Sequence, residues 1–385
     1  MGDASRNLWF DLIRGCSALI VCLGHLRNAI LVDYSVLVNP NIALKLVYFL
    51  TGLGHEAVMI FFVLSGYFVG GTILRSGSKF TWKNYLTSRL TRLWVVLIPC
   101  LFITWGVGLI IEYCSPEVLS GVNYELWHSG PKPTEYSASF STFLANLFFL
   151  QTIAFPVFGT NGPLWSLANE FWYYMLFPLL SIAFGLVGLK SYVYRAFLFV
   201  ISVLILFYLP KDILRGFAVW NLGVVVYCLQ ARIKKPSPGL AHKLLFLAVF
   251  LFGLSLVYSK TTNLFQNIPI SSDFAVGLSF AFLSLVLTYQ AFPKTLCPWF
   301  AVFSIHISEV SYSLYLSHFP IVILIASTIY QSQKLMPTTW VLTEYFGSGA
   351  LLFGFGSIVW WLFESRTTFV RNKVNSLLNI MVAGK

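Results

Sequence analysis

Charge is what this sequence has least of. Asp, Glu, Lys and Arg make up 10% of its 385 residues while hydrophobic residues make up 57%, where a soluble domain carries about a quarter charged. That excludes a water-soluble globular protein and reads as an integral membrane protein. Acids are scarcer than bases, 14 against 25, but the net charge of +11 is not read as nucleic-acid binding. In a membrane protein the places where basic residues fall matter more than their sum. Cysteine is sparse too. Cys16, Cys22, Cys100, Cys114, Cys228 and Cys297 lie scattered through apolar segments without paired spacing, which excludes a disulfide framework or zinc motif and leaves packing residues. The histidines (His25, His55, His128, His242, His306, His318) are likewise too dispersed to suggest ligand pairs, so no metal is expected. The GFG at 354–356 lies inside an apolar run with no strand or phosphate-binding Lys, so it is not read as a nucleotide loop. Ser65 has no base beside it in sequence, and a serine triad is not supported.

Long apolar runs are what the chain does have. A transmembrane helix needs roughly 17 to 25 such residues. Runs of that kind occur near 9–31, 46–71, 93–111, 164–188, 193–209, 213–230, 243–259, 273–292, 308–330 and 339–363, with a shorter one at 141–157. Together they consume the whole length, so residues 1–385 are read as one polytopic domain. The first run contains Asp11 and Arg14 and no small-residue cleavage site, so it is expected to stay as a helix rather than leave as a signal peptide. Arg75, Lys79, Lys83, Arg89 and Arg92 in one loop, and Arg232, Lys234, Lys235 and Lys243 in another, place both loops in the cytoplasm, together with the tail bearing Arg366, Arg371 and Lys373. Residues 112–140, with Glu112, Glu117, Glu125 and Glu135 against Lys132, suit the opposite side. Five runs separate the two basic loops, and an odd number of crossings would split them across the membrane. The run at 141–157, interrupted by Pro156, is therefore read as a short re-entrant or interfacial helix. The expected fold is all-α: a transmembrane bundle of about ten spans, both termini cytoplasmic.

Within these runs a few ionisable residues stand out, because an unpaired ion in hydrocarbon costs at least a few kcal/mol and must face the bundle or a wet cavity. Arg14 and His25 are eleven residues apart in the first run. On a helix they share a face within roughly 20° but sit about 16 Å apart along the axis, Arg14 towards the cytoplasm and His25 in the outer half. Asp11 is one turn from Arg14 and could pair with it, the bland reading being a structural ion pair and a hydrogen-bonded histidine. The stretch VMIFFVLSGYFVGG (58–71) carries small residues for close helix approach. In YLTSRLTRL (85–93) Arg89 and Arg92 lie one turn apart, suited to anchoring lipid head groups or clamping phosphates. NGPLWSLANEFWYY (161–174) places Trp165 and Glu170 in a span, and SEVSYSLYLSHFP (308–320) carries Glu309 and His318, the latter just before a helix-kinking proline and readable as a structural bridge.

These five segments, in this order, resemble the membrane acyltransferase-3 family: Arg, ten residues, His; IFFVLSGYF; SRLTRL; LWSLANEFWYYMLFP; SYSLYLSHFP. Two departures occur. Relatives commonly have an acid immediately before the FFVLSG segment, whereas Glu56 lies four residues ahead of Ile60, and they commonly have Trp where Ser317 precedes His318. The resemblance implies a ten-helix enzyme, multi-pass in the cell membrane and usually the bacterial inner membrane. Such an enzyme moves an acyl group, usually acetyl, from acyl-coenzyme A to a carbohydrate hydroxyl. Its motif residues fall on Arg14, His25, Trp165 and Glu170. No permanently bound cofactor is implied; acetyl-coenzyme A is a co-substrate, and polysaccharide-assembly proteins are natural partners.

The depth pattern fits that chemistry. Arg14, Arg89 and Arg92 fall towards the cytoplasmic mouth, where a nucleotide diphosphate finds bidentate donors. His25 and Glu170 lie at similar depth nearer the other side, within reach of a long pantetheine arm. His25 is expected as the general base that deprotonates the acceptor hydroxyl for direct attack on the thioester carbonyl, the alternative being a two-step route through an acyl-histidine. Glu170 is expected to orient the imidazole or bind sugar hydroxyls, Trp165 to stack on a sugar, and His318 to contact substrate. The opposing class, a transporter or flippase using the same charges as a relay, predicts inverted repeats that the halves do not display. A membrane sensor explains the aromatic content, 17%, but not the Arg and His depths.

Overall fold

A computed structural model describes residues 6–130, 132–188, 190–261, 271–290 and 298–383. The described chain is helical throughout: α1 Leu8–Ile30, α2 Ile42–Thr51, α3 Gly54–Ser65, α4 Gly71–Ser76, α5 Trp82–Cys114, α6 Tyr124–Trp127, α7 Phe140–Leu147, α8 Leu164–Ala183, α9 Tyr192–Tyr208, α10 Lys211–Gln230, α11 Pro238–Lys260, α12 Ser272–Leu287, α13 Pro298–Thr328, α14 Thr339–Leu362 and α15 Thr367–Ala383. Helix is the form that satisfies every backbone N–H and C=O within one segment, as hydrocarbon demands. Among the described residues, seven helical stretches are long and apolar enough to cross a membrane: Leu8–Ile30, Gly54–Lys79, Trp82–Cys114, Lys211–Gln230, Pro238–Lys260, Pro298–Thr328 and Thr339–Ile380. Phe197, Val200, Leu204 and Phe207 on α9, and Phe246, Val249, Phe250 and Leu254 on α11, are exposed. Such apolar stripes suit lipid and not water.

The chain divides into two compact units. Unit 1 holds the chain up to Ser17, His55–Phe80 and Asn169–Ser308; unit 2 holds Ala18–Gly54, Thr81–Ala168 and the chain from Glu309 onward. In unit 1, α3 runs into a wider π turn over Gly66–Gly70 and then α4, and this stretch packs against α10. The crossing is backbone on backbone: a Cβ at Gly66 would overlap the Trp220 carbonyl, and one at Gly223 the Val63 carbonyl. Small residues were expected in 58–71 for this reason, and α10 supplies the matching glycine. Phe62, Tyr173, Phe217 and Trp220 interlock by their ring faces and edges beside it.

In unit 2, α5 runs for 33 residues with Pro99 inside it. At 1.5 Å per residue it is about 50 Å long, more than the roughly 30 Å of hydrocarbon. The expected span 93–111 is its centre. Its polar first turns continue the helix because α15 packs along them and Lys83 donates to Asn379 Oδ1 at 2.7 Å. Glu364, 4% exposed, lies in the short turn joining α14 to α15.

Several expected boundaries shift. Residues 46–71 do not form one span: α2 ends at Gly52, whose N–H bonds back to the Tyr48 and Phe49 carbonyls, and a new helix begins at Gly54. The run 141–157 is helical only in its first part, through Leu147. The rest is irregular, since Pro156 cannot continue a helix and Phe149, Thr152 and Gly159 adopt positive φ. Asn146 holds the turn, donating to the Thr142 and Pro156 carbonyls and accepting from Phe158 N–H. The span expected at 308–330 begins ten residues earlier, at Pro298. The run 273–292 is helical to Leu287, and its last two residues, like Cys297, lie outside the described residues.

Candidate active site

The histidine pair belongs to unit 2. His25 Nδ1 and His318 Nε2 are 2.9 Å apart, the ring planes within 9° of parallel, and Phe319 meets the His25 ring edge to face with centroids 4.7 Å apart. His318 is wholly buried. Its other nitrogen, Nδ1, faces the Leu314 and Tyr315 carbonyl oxygens at 3.0 and 2.9 Å. Carbonyls only accept, so Nδ1 carries the proton. A neutral imidazole has one N–H, which makes His318 Nε2 an acceptor and His25 Nδ1 the donor to it. His25 Nε2 is then left with its lone pair. The tautomers follow from the hydrogen-bond network.

Why His318 is held so firmly is a backbone matter. Pro320 has no N–H, so the Leu316 carbonyl four residues before it loses its helical partner. Asn161 Nδ2 fills the gap, donating to Leu316 O at 2.9 Å and to Thr104 Oγ1 at 3.2 Å. The proline expected to kink the helix is absorbed within α13, and the freed carbonyl ties the irregular segment before α8 to it. Ser166 Oγ and Tyr315 OH, 2.7 Å apart, make a second tie. Trp165 stands half-buried at the second position of α8.

The cations divide into occupied and free. Arg92 Nη1 lies 2.5 Å from Glu364 Oε1, with its guanidinium over the Tyr312 ring. Ser313 N–H and Oγ donate to the other oxygen of Glu364. Arg92 thus closes a buried ionic joint between α5, α13 and the α14–α15 turn. Arg89, one turn earlier, has a buried Nε with no hydrogen-bond partner among the described residues. In unit 1, Arg14 donates from Nε (3.0 Å) and Nη2 (2.7 Å) to Ser308 Oγ, and Ser308 Oγ donates to Asp11 Oδ1 at 2.8 Å. Asp11 pairs chiefly with Arg6, at 2.6 Å; Arg14 Nη2 is 3.9 Å from it.

Also in unit 1, Glu170 sits half-buried on α8. Its Oε1 accepts from Ser65 Oγ at 2.7 Å and from Tyr174 OH at 2.5 Å, and Trp220 Nε1–H donates to Ser65 Oγ at 3.1 Å. Glu56 is 5% exposed and bound to Lys260, 2.8 Å from Oε1 and 2.9 Å from Oε2. That gives the acid standing ahead of the FFVLSG segment an ionic partner of its own. Among the described residues no set of three or more His, Cys, Asp and Glu is placed to hold a metal ion.

His25 and His318 are brought together, Glu170 meets Ser65, and Arg14 and Arg92 are met by Ser308 and Glu364. Sequence reasoning weighed Ser65 only as a triad serine and passed over Tyr174, Trp220, Ser308, Glu364 and Asn161. Tyr174 could have been found, since it lies one turn after Glu170. A lone acid among aromatics at 364 was a second signal. The other partners come from distant segments and leave no local trace. A family model described as an acyltransferase domain matches residues 7–374. No curated protein and no solved structure matches the chain.

Proposed function

The chain belongs to the acyltransferase-3 family and is a membrane acyltransferase of groups other than aminoacyl, and from that premise we propose that it moves an acetyl or related acyl group from acyl-coenzyme A to a carbohydrate hydroxyl. The acceptor in this reading is a surface or exopolysaccharide or its lipid-linked precursor. The observation that carries the proposal is the hydrogen bond from His25 Nδ1 to His318 Nε2, because it leaves His25 Nε2 free to act as a base.

In this reading His25 Nε2 takes the proton of the acceptor hydroxyl as its oxygen attacks the thioester carbonyl. The C–S bond breaks, and the imidazolium returns the proton to the departing thiolate. His318 holds the ring and accepts from the Nδ1–H that strengthens as positive charge develops on it. Arg89, whose buried Nε has no hydrogen-bond partner among the described residues, takes a coenzyme phosphate, and Arg14 and Arg92 add positive charge. Trp165 stacks on a sugar face, and Glu170 binds a hydroxyl rather than orienting His25, whose Nδ1 already has a partner. The depth separation of Arg14 and His25 along α1, about 16 Å, is bridged by the pantetheine arm.

Adding α8, α9 and α12 to the seven long helices brings the span count to the ten expected, with residues 141–157 not crossing. That supports a ten-span bundle, and an even number of spans agrees with both termini being cytoplasmic; in the same reading the protein sits in a bacterial inner membrane beside polysaccharide-assembly proteins. The test is transfer of radiolabel from acetyl-coenzyme A to host glycan by membranes holding wild type, His25→Ala or Arg14→Ala at matched expression. Expected are transfer by wild type, a drop of about 10²- to 10⁴-fold for His25→Ala, and a raised KM for the coenzyme with Arg14→Ala. Wild-type rates from His25→Ala would sink the mechanism.

A further inference from the structure

The hydrogen bonds around Glu170 have a direction, and it is set two residues away. Trp220 is fully buried, and its indole N–H can only donate. It donates to Ser65 Oγ at 3.1 Å. Ser65 has a single proton, and the acceptor in line with it is Glu170 Oε1 at 2.7 Å. Tyr174 OH, 3.2 Å from Ser65 Oγ, donates to the same carboxyl oxygen. Both hydroxyls therefore load Oε1, and Oε2 has no partner among the described residues. Two donors converging on one oxygen are charge-assisted when the group is ionised. The bonds hold the carboxyl plane against rotation, because a flip would have to break both at once.

We propose that Trp220 and Ser65 are positioning residues that hold Glu170 as a carboxylate with Oε1 committed to the protein and Oε2 presented to a hydroxyl of the acceptor. The acceptor part rests on the transferase reading above; the state of the carboxyl does not. Ser65 is neither a nucleophile nor a base in this arrangement. One of its lone pairs accepts from Trp220 and its single proton goes to Glu170, so it transmits the orientation of α10 to α8. The π turn beginning at Gly66 and the bare glycine crossing with Gly223 bring the α3 backbone near enough to α10 for Trp220 to reach that hydroxyl.

The test uses the full-length protein in detergent or nanodiscs, with glutamate labelled at its carboxyl carbon. The isotope-edited infrared difference between wild type and Glu170→Gln isolates the Glu170 band. A carboxylate band in that difference, altered in both Ser65→Ala and Trp220→Phe, is expected; a protonated-acid band, or a band indifferent to both substitutions, overturns the proposal. Ser65→Ala is the small change that keeps the test valid should Trp220→Phe not fold. In transfer assays each variant is expected to raise the acceptor KM about two- to tenfold, the worth of one hydrogen bond, with the acyl-coenzyme A KM unchanged. A rise in the coenzyme KM instead would overturn the assignment of Oε2 to the acceptor. Absence of transfer in wild type alongside the expected spectra would defeat the transferase reading and leave the carboxylate assignment standing, so the two failures are separable.

Discussion

In unit 1 a serine stands between a donor and a carboxylate twice over: Arg14 to Ser308 to Asp11, and Trp220 to Ser65 to Glu170. In unit 2 the histidine link carries no ion, only one neutral imidazole bonded to another, and Arg92 is paired with Glu364. The contrast follows from what each link is for. A carboxylate oxygen fed by hydroxyls is held in one orientation. A neutral N–H bonded to a ring nitrogen leaves a lone pair free on the donor ring, which suits proton transfer.

Replacing His318 with Leu tests the neutral link most severely. With no acceptor for Nδ1–H the His25 ring loses both orientation and tautomer, and kcat is expected to fall about a hundredfold while the KM for acyl-coenzyme A holds; steady-state kinetics on matched membranes measure both. The ionic link of unit 2 should answer in stability instead. Glu364→Gln strands a partly buried guanidinium; a fully buried pair broken this way costs about 3–5 kcal/mol, and with the Arg92 side chain 38% exposed about 2 kcal/mol is expected. Thermal unfolding in detergent reads this, and the double variant Arg92→Gln, Glu364→Gln should recover part of the loss.

Two glycines, one in each unit, test close packing on a smaller scale. Gly223→Ala drives a methyl into the Val63 carbonyl and should cost about 1–3 kcal/mol, whereas a Cβ at Gly106 on α5 meets nothing within 4 Å. Gly106→Ala is expected to be neutral or stabilising by up to about 1 kcal/mol, and the pair of melting temperatures decides it. The smallest effect is at Asp33, between α1 and α2. Partial burial works to raise its carboxyl, but the hydrogen bond and charge of Lys334, helped by His128, outweigh that and hold it below the ordinary carboxylate value. A lowered folded value means stability that is present above the unfolded value and lost as pH falls through the folded one. Asp33→Asn should therefore lower the melting temperature slightly at neutral pH, with the difference vanishing on acidification below the carboxylate range.

Much of this was written in the local chain. Runs such as 213–230 and 243–259 fall within a few residues of α10 and α11, because apolar length alone dictates a helix where hydrocarbon surrounds it. The break at Gly52 was not legible, and in the run 141–157 Pro156 gave the interruption but not its position, nine residues earlier after Leu147. Both lie in apolar sequence, where the break after Gly52 has no local signal and the side chain of Asn146 is what ties the segment after Leu147 in place. The same holds for the site. Depth along α1 pointed to Arg14 and His25, but composition says that a polar group is buried and not what satisfies it. His318 lies 293 residues from His25, and Ser65 lies 105 from Glu170.

Pro320 and Asn161 form a lock and its key. An amide side chain at 161 is useful there because an imino acid at 320 has vacated a carbonyl, so the two residues act as a pair. A relative with another residue at 320 regains the backbone donor and has no need of an amide at 161, and the two positions should be kept or lost together. In the laboratory the same logic predicts that Asn161→Leu is far better tolerated on a Pro320→Ala background than on the native one.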